Sequence, residues 1–235
     1  MGDHTYKEFD IELDAIRSGV LNMGGEVEQQ LAQAITALSD EESRHVVDQV
    51  AAREQAINQA QVVIDQQCMQ IIAKRQPTAI DLRTILTVTK VVNDLERVGD
   101  EAKKIAYKAE ATRSSNRLTP VRFYEVTRAG SHARHMLQSA LDAFARMDVN
   151  SAADVIPLDD ELDAMFQSIM RQLISYMMED PRTISPALEI VFIAKAIERI
   201  GDHAKNIAES VIQVVKGKDV RHATAAQIRA EVASG

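Results

Sequence analysis

The sequence predicts an all-α protein built as two tandem three-helix bundles related by internal duplication, and three observations carry that prediction. Apolar residues recur at steps of three and four along stretches of about thirty residues, the period of amphipathic helices. Five Pro and nine Gly in 235 residues leave few places for turns. The segment Ala194 to Ala208, AKAIERIGDHAKNIA, has a twin at Asn93 to Ala106, NDLERVGDEAKKIA. On a constant offset of 102, Glu96 matches Glu198, Arg97 matches Arg199, Gly99 matches Gly201 and Asp100 matches Asp202.

Helix 1 is expected from about Thr5 to Leu38, after a short polar lead, with Phe9, Leu13, Ile16, Val20, Met23, Val27, Leu31 and Ile35 on its buried stripe. The Gly24-Gly25 pair inside it marks a kink or a close helix approach, because Gly costs about 1 kcal/mol relative to Ala in a helix. Ser39-Asp40 breaks the pattern. Helix 2 is expected from about Glu42 to Lys74 on Val47, Val50, Ile57, Ile64, Cys68 and Ile71, with Glu54 and Gln61 interrupting its apolar face. Pro77-Thr78 ends it, and Thr78 with Asp81 approximates a capping box for helix 3, which runs to about Ala111.

Thr112 to Thr119, TRSSNRLT, reads as a linker. Helix 4 is expected over Pro120 to Arg146, helix 5 over Ser151 to Met178, and helix 6 over Pro186 to Val215 with Ser185 as N-cap and Pro186 at the first position. The duplication extends beyond the motif. Leu31, Ala34 and Ile35 match Leu137, Ala140 and Leu141 on an offset of 106, and Val50, Glu54, Ile57, Asn58 and Ile64 match Val155, Asp159, Leu162, Asp163 and Ile169 on 105. The expected domains are 5–112 and 119–216, followed by a frayed tail, 217–235. Helices of about 30 residues reach about 45 Å, so the pair of bundles should be elongated.

A formal charge of -8, from 35 acidic and 27 basic residues mixed along the chain, repels nucleic acid and anionic lipid. The absence of Trp leaves little for base stacking. Lys103, Lys104 and Lys108 read as a solvated face. A single cysteine, Cys68, excludes an intramolecular disulfide or a Cys-based zinc site and falls on the core stripe. MGDHTYKEFDIELD lacks the apolar core of a secretory signal and no run of about 18 apolar residues occurs, so a cytoplasmic protein without membrane insertion is expected.

Residues four apart share a helix face, so Glu96 with Asp100 and Glu198 with Asp202 each present two carboxylates in one direction. Helix 2 adds Glu54 and Asn58, and helix 5 adds Asp159 and Asp163 at equivalent positions. Facing helices then give two clusters: Glu54, Asn58, Glu96 and Asp100 in the first half, and Asp159, Asp163, Glu198 and Asp202 in the second. Carboxylates this close raise one another's pKa unless a cation intervenes. Hard oxygen donors suit Fe, Mn, Mg or Ca, and bridging carboxylates permit a multinuclear site. Gly99 and Gly201 are explained if something approaches the backbone there. The same acids would equally serve surface ion pairs, with Lys195, Lys103 and Lys205 three residues from Glu198, Asp100 and Asp202.

LERVGDEAKKIA and IERIGDHAKNIA, together with MGGEVEQQL, IIAKRQPTAIDLR and LDAFARMD, resemble the PhoU family of phosphate-signalling proteins over nearly the whole chain. The resemblance implies two three-helix bundles in a cytoplasmic, often dimeric, negative regulator of the phosphate-starvation response. Its implied partners are the ATPase of the phosphate ABC transporter and a phosphate sensor histidine kinase. It also implies metal binding at Glu96 and Asp100, Glu198 and Asp202, and Asp159 and Asp163. Asn58 departs from the pattern, so weaker binding is expected in the first half.

Two other readings differ in class. A di-iron carboxylate oxidase needs paired Glu-x-x-His motifs, and the one match, Glu42 to His45, has no second copy. His132 and His135 read as surface or packing residues, and His203, absent from the first repeat, has no assigned role. With no Gly-x-Ser-x-Gly elbow or phosphate loop, an enzyme is not expected. The remaining alternative is a metal-independent helical adaptor.

Overall fold

A computed structural model describes residues 2–39, 45–114, 124–221 and 223–233, and these residues contain seven α-helices and no strand. They are α1 (Gly2–Ser39), α2 (Val46–Arg75), α3 (Ala79–Ser114), α4 (Tyr124–Arg146), α5 (Val149–Glu179), α6 (Ile184–Lys216) and α7 (Ala225–Ala233). α1, α2 and α3 pack on one another, as do α4, α5 and α6. The repeated helix triplets expected from the duplication are therefore present.

The two triplets meet most extensively through α3 and α6, the helices that carry the twin motifs, with α1 against α4 beside them. One continuous apolar core runs through both halves. Polar contacts along the α3–α6 seam show that the helices run antiparallel. Lys90 Nζ donates to Gln213 Oε1 at 3.1 Å, Asn206 Nδ2 donates to Asp94 Oδ1 at 3.2 Å, Arg199 Nη1 donates to Glu101 Oε1 at 3.3 Å, and Lys108 Nζ donates to Glu189 Oε2 at 2.8 Å. His203 Nδ1 lies 2.9 Å from Asp94 Oδ1 in the same seam, which gives this previously unassigned residue a place. Each motif helix thus lays one face on its twin and turns another toward α2 or α5.

Gly24 marks close approach rather than a break. α1 is one helix, and a Cβ at Gly24 would stand 2.8 Å from Leu141 Cδ2 on α4.

Several boundaries differ from expectation. α1 begins at Gly2, so the polar lead is helical. Thr112 is a buried part of α3 and not linker, because its hydroxyl donates back to the Lys108 carbonyl at 2.7 Å and so satisfies itself within the helix. Residues 115–119 of the expected linker, and with them Asp40, Glu42 and Pro120, lie outside the described residues. At the start of α3 the Asp81 N–H is taken by the Thr78 carbonyl at 3.2 Å, a backbone bond where a side-chain cap was expected. α5 is capped by Asp148, whose carboxylate accepts from the N–H groups of Asn150 and Ser151. It continues through Pro157.

Ser185 is not the N-cap of α6, because a short 3-10 turn, Pro181–Thr183, precedes the helix and α6 starts at Ile184. Asp180 organises that turn by accepting from the Arg182 N–H at 3.0 Å, while Thr183 Oγ1 donates to the Asp180 carbonyl at 2.7 Å.

The tail that was expected to fray instead carries α7. Thr224 and Gln227 form a capping box: the Thr224 N–H donates to Gln227 Oε1 at 2.8 Å and the Gln227 N–H to Thr224 Oγ1 at 3.3 Å. Ile228, 1% exposed, anchors the helix in the core, and α7 packs on α5.

Candidate metal centre

In the first half Glu54 is 4% exposed in α2 and reaches toward Gly99 of α3. Gln30 of α1, fully buried, donates through Nε2 to Glu54 Oε2 at 3.1 Å and to the Val50 carbonyl at 3.3 Å. Lys103 Nζ stands 3.9 Å from Glu54 Oε1. Burial pushes the Glu54 carboxyl above its ordinary pKa; the Gln30 hydrogen bond opposes this, Asp100 adds to it and Lys103 relieves it. Gly99 has a close neighbour across the helix packing. A Cβ there would lie 3.1 Å from Gln30 Oε1 and 3.6 Å from Glu54 Oε2. Glu96 lies 3.9 Å from its neighbour Arg97, and Asn58 is exposed.

In the second half Asp159 of α5 is 6% exposed and accepts a 2.7 Å hydrogen bond from Lys205 Nζ of α6. Burial opposes the charged ammonium, but the Asp159 bond and charge hold Lys205 above its ordinary value. Glu198 is half-buried and meets Lys195 Nζ at 2.6 Å. Asp163 and Asp202 are exposed at the rim. Both carboxyls are raised, first by desolvation against the packed helices and then by neighbouring acids: Asp159 and Glu198 act on Asp163, and Glu198, Asp159 and Asp163 on Asp202. All four expected acids of this half therefore lie within electrostatic reach of one another.

Lys195 pairs with Glu198 as considered above, but the other two lysines stand differently. Lys103 and Lys205 cross to the buried acids Glu54 and Asp159 on the facing helices, and these pairs are equivalent under the repeat. Among the described residues no three His, Cys, Asp or Glu side chains converge as a ligand set for a metal. The donor chemistry nonetheless fits a hard cation. The second half gathers four carboxylates, of which Asp163 and Asp202 are raised first by burial and then by their acidic neighbours, and in the first half Gln30 Oε1 is a buried oxygen with no donor.

Gln30 was missed because a lone amide beside an apolar stripe carries no charge pattern. Its signal was available in the repeat, since Met136 occupies the matching position and places Cε 3.5 Å from where a Gly201 Cβ would be. The two halves thus differ at Gln30 and Met136 as well as at Asn58 and Asp163. Two of the other histidines have partners: His132 Nε2 meets the Leu158 carbonyl at 2.8 Å, and His203 meets Asp94. Cys68, 1% exposed, is a core residue, and burial with the nearby Asp65 charge pushes its thiol up to about 11.

Comparison with known proteins returns one family twice. The PhoU domain model matches residues 20–109 and 126–211. The chain is 44% identical over 229 residues to the phosphate-specific transport system accessory protein PhoU homolog of Pseudomonas aeruginosa, covering 97% of this chain and 94% of that one. It is 43% identical over 222 residues to the phosphate-specific transport system accessory protein PhoU of Escherichia coli, covering 94% and 91%. The crystal structure of PhoU from Pseudomonas aeruginosa superposes with a TM-score of 0.85 at 45% identity, over 89% of this chain and 100% of that one. The phosphate transport system regulatory protein PhoU from Streptococcus pneumoniae superposes at 0.82 with 25% identity, over 90% and 99%.

Proposed function

The chain belongs to the PhoU family, and from that premise we propose that it is a regulatory accessory protein of phosphate uptake, acting by protein contact and not by catalysis. The observation that carries this reading is the match over most of the chain to accessory proteins of phosphate-specific transport systems, 43% identical over 94% of it in one case. In this reading the protein works in the cytoplasm as a homodimer. It restrains the phosphate-starvation response by contacting the ATPase of the phosphate transporter and a phosphate sensor histidine kinase.

The metal part of the proposal rests on the acids. Asp159, Asp163, Glu198 and Asp202 would hold metal in the second half, and Glu54, Glu96 and Asp100 with Asn58 in the first, where the buried Gln30 oxygen is a further donor. Fe, Mn, Mg or Ca would suit these oxygens. Bound there, a cation supplies positive charge that ties α5 to α6 or α2 to α3. Lys205 at 2.7 Å and, more loosely, Lys103 at 3.9 Å already link the same helices, an observation that favours the metal-independent adaptor as the second reading.

Co-purification with the transporter ATPase and with the kinase, with and without chelator, tests both. Wild type is expected to retain both partners, and Glu198→Ala and Asp202→Ala to lose metal together with at least one of them. Unchanged partner binding in both variants and in chelator selects the adaptor, and failure of wild type to retain either partner removes the regulatory reading.

A further inference from the structure

Glu209 lies on α6 two turns beyond Asp202, at a position the first repeat fills with the exposed Tyr107. Its residue is 6% exposed, yet its carboxyl makes no hydrogen bond or ion pair. A carboxylate set this deep without a protein partner is costly unless water or a ligand reaches it.

Lys205 and Arg221 ease its charge through space, but the cations near it bond elsewhere. Lys205 donates to Asp159, Lys90 to Gln213, and Arg221 grips Asp219 through Nε at 2.9 Å. Burial raises its carboxyl most; the Lys205 charge opposes this, Asp159 and Asp219 add to it, and Arg221 relieves it.

The carboxyl lines a cavity of about 400 Å³ in the α3–α6 seam, whose wall includes Lys90, Asp94, Asn206, Ser210 and Arg221. Asp94 already accepts from His203 and Asn206. Beside the Lys90 ammonium and the Arg221 guanidinium, the cavity still offers three acceptors: the Glu209 carboxyl, the Asn206 carbonyl oxygen and the Ser210 hydroxyl. Two acids alone fall short of a metal ligand set, and among the described residues no such set forms here. The volume falls in the range of small-molecule sites, about 300–1,000 Å³.

We propose that this cavity is a binding site for an organic cation, an ammonium or guanidinium group that donates to Glu209. It is separate from the carboxylate clusters and confined to the second half. The cation belongs either to a free amine or to a basic side chain presented by a protein.

Isothermal titration of the full-length protein with agmatine tests it, with tetramethylammonium as a cation that has no N–H to donate. Agmatine is expected to bind saturably and tetramethylammonium at least tenfold more weakly. Glu209→Gln should weaken agmatine at least tenfold, Asp94→Asn less, and Glu26→Gln on α1 not at all, with circular dichroism confirming that each variant is folded. An arginine tripeptide that outcompetes agmatine identifies a protein-borne cation, and the reverse identifies a free amine. Equal response to the two cations, or agmatine affinity unchanged in both Glu209→Gln and Asp94→Asn, overturns the proposal.

Discussion

Lys205 Nζ lies 2.7 Å from Asp159 Oδ2, and its repeat mate Lys103 stands 3.9 Å from Glu54, so each cluster of acids holds one ammonium on its most buried carboxylate. Lys205→Met keeps the apolar stem but strips that charge. With Lys205 about a third exposed, solvent screening limits the loss to about 1–2 kcal/mol, measured by urea denaturation. The same variant should bind Mn more tightly by titration, since Asp159 is then left without a competing cation. Weaker Mn binding would show that Lys205 supports a metal site instead of competing with it.

Three glycines separate close approach from helix propensity. A Cβ at Gly201 would fall 2.3 Å from Leu162 Cδ2, itself in the core, so Gly201→Ala should destabilise by about 1–3 kcal/mol despite Ala's better propensity. At Gly99 the nearest atom is the end of the Gln30 side chain at 3.1 Å, and Gly99→Ala should be close to neutral. Nothing lies within 4 Å of a Cβ at Gly25, so Gly25→Ala should stabilise by up to about 1 kcal/mol. Urea midpoints of the three variants, ranked in that order, check the packing of the motif helices.

The C-terminal helix is held by one large anchor. Ile228→Ala should cost about 2–4 kcal/mol of docking free energy and release α7 from α5 without unfolding the bundles. Hydrogen exchange should then accelerate over Ala225–Ala233 while α6 stays protected.

Glu54, Asp163, Asp202 and Glu209 all have carboxyls raised in the folded state, each chiefly by burial. A raised carboxyl binds its proton more tightly folded than unfolded. Its contribution to stability is complete below the unfolded value, about 4, and is lost as pH rises through the folded value. Glu12 and Asp148 are lowered, Glu12 by its Arg75 hydrogen bond and Asp148 by Ser151, and oppose this only as pH falls below about 4. The melting temperature should therefore rise from pH 7.5 to 5, and Glu209→Gln should reduce that rise by raising the pH 7.5 value. Calorimetry at the two pH values decides it.

Helix period and repetition carried most of the architecture, because Val88, Val92 and Leu95 or Ile193, Ile197 and Ile200 mark a buried stripe whatever lies across from it. Spacing also found the acids, but not their partners. Whether Lys205 reaches Asp202 on its own helix or Asp159 on the next depends on how α5 and α6 are rotated, which no single helix encodes. The seam between α3 and α6 was hidden for the same reason: the residues that cross it, such as Asp94 and His203, are polar and look solvated in sequence. α7 was legible in the Thr224-x-x-Gln227 box and was passed over because small residues around it read as a tail.

Phosphate uptake by host cells growing in excess phosphate tests the regulatory assignment most directly. Cells lacking this chain should import phosphate at several times the rate of the parent, and a reintroduced wild-type copy should restore restraint. Uptake equal to the parent's in the deleted cells would contradict it.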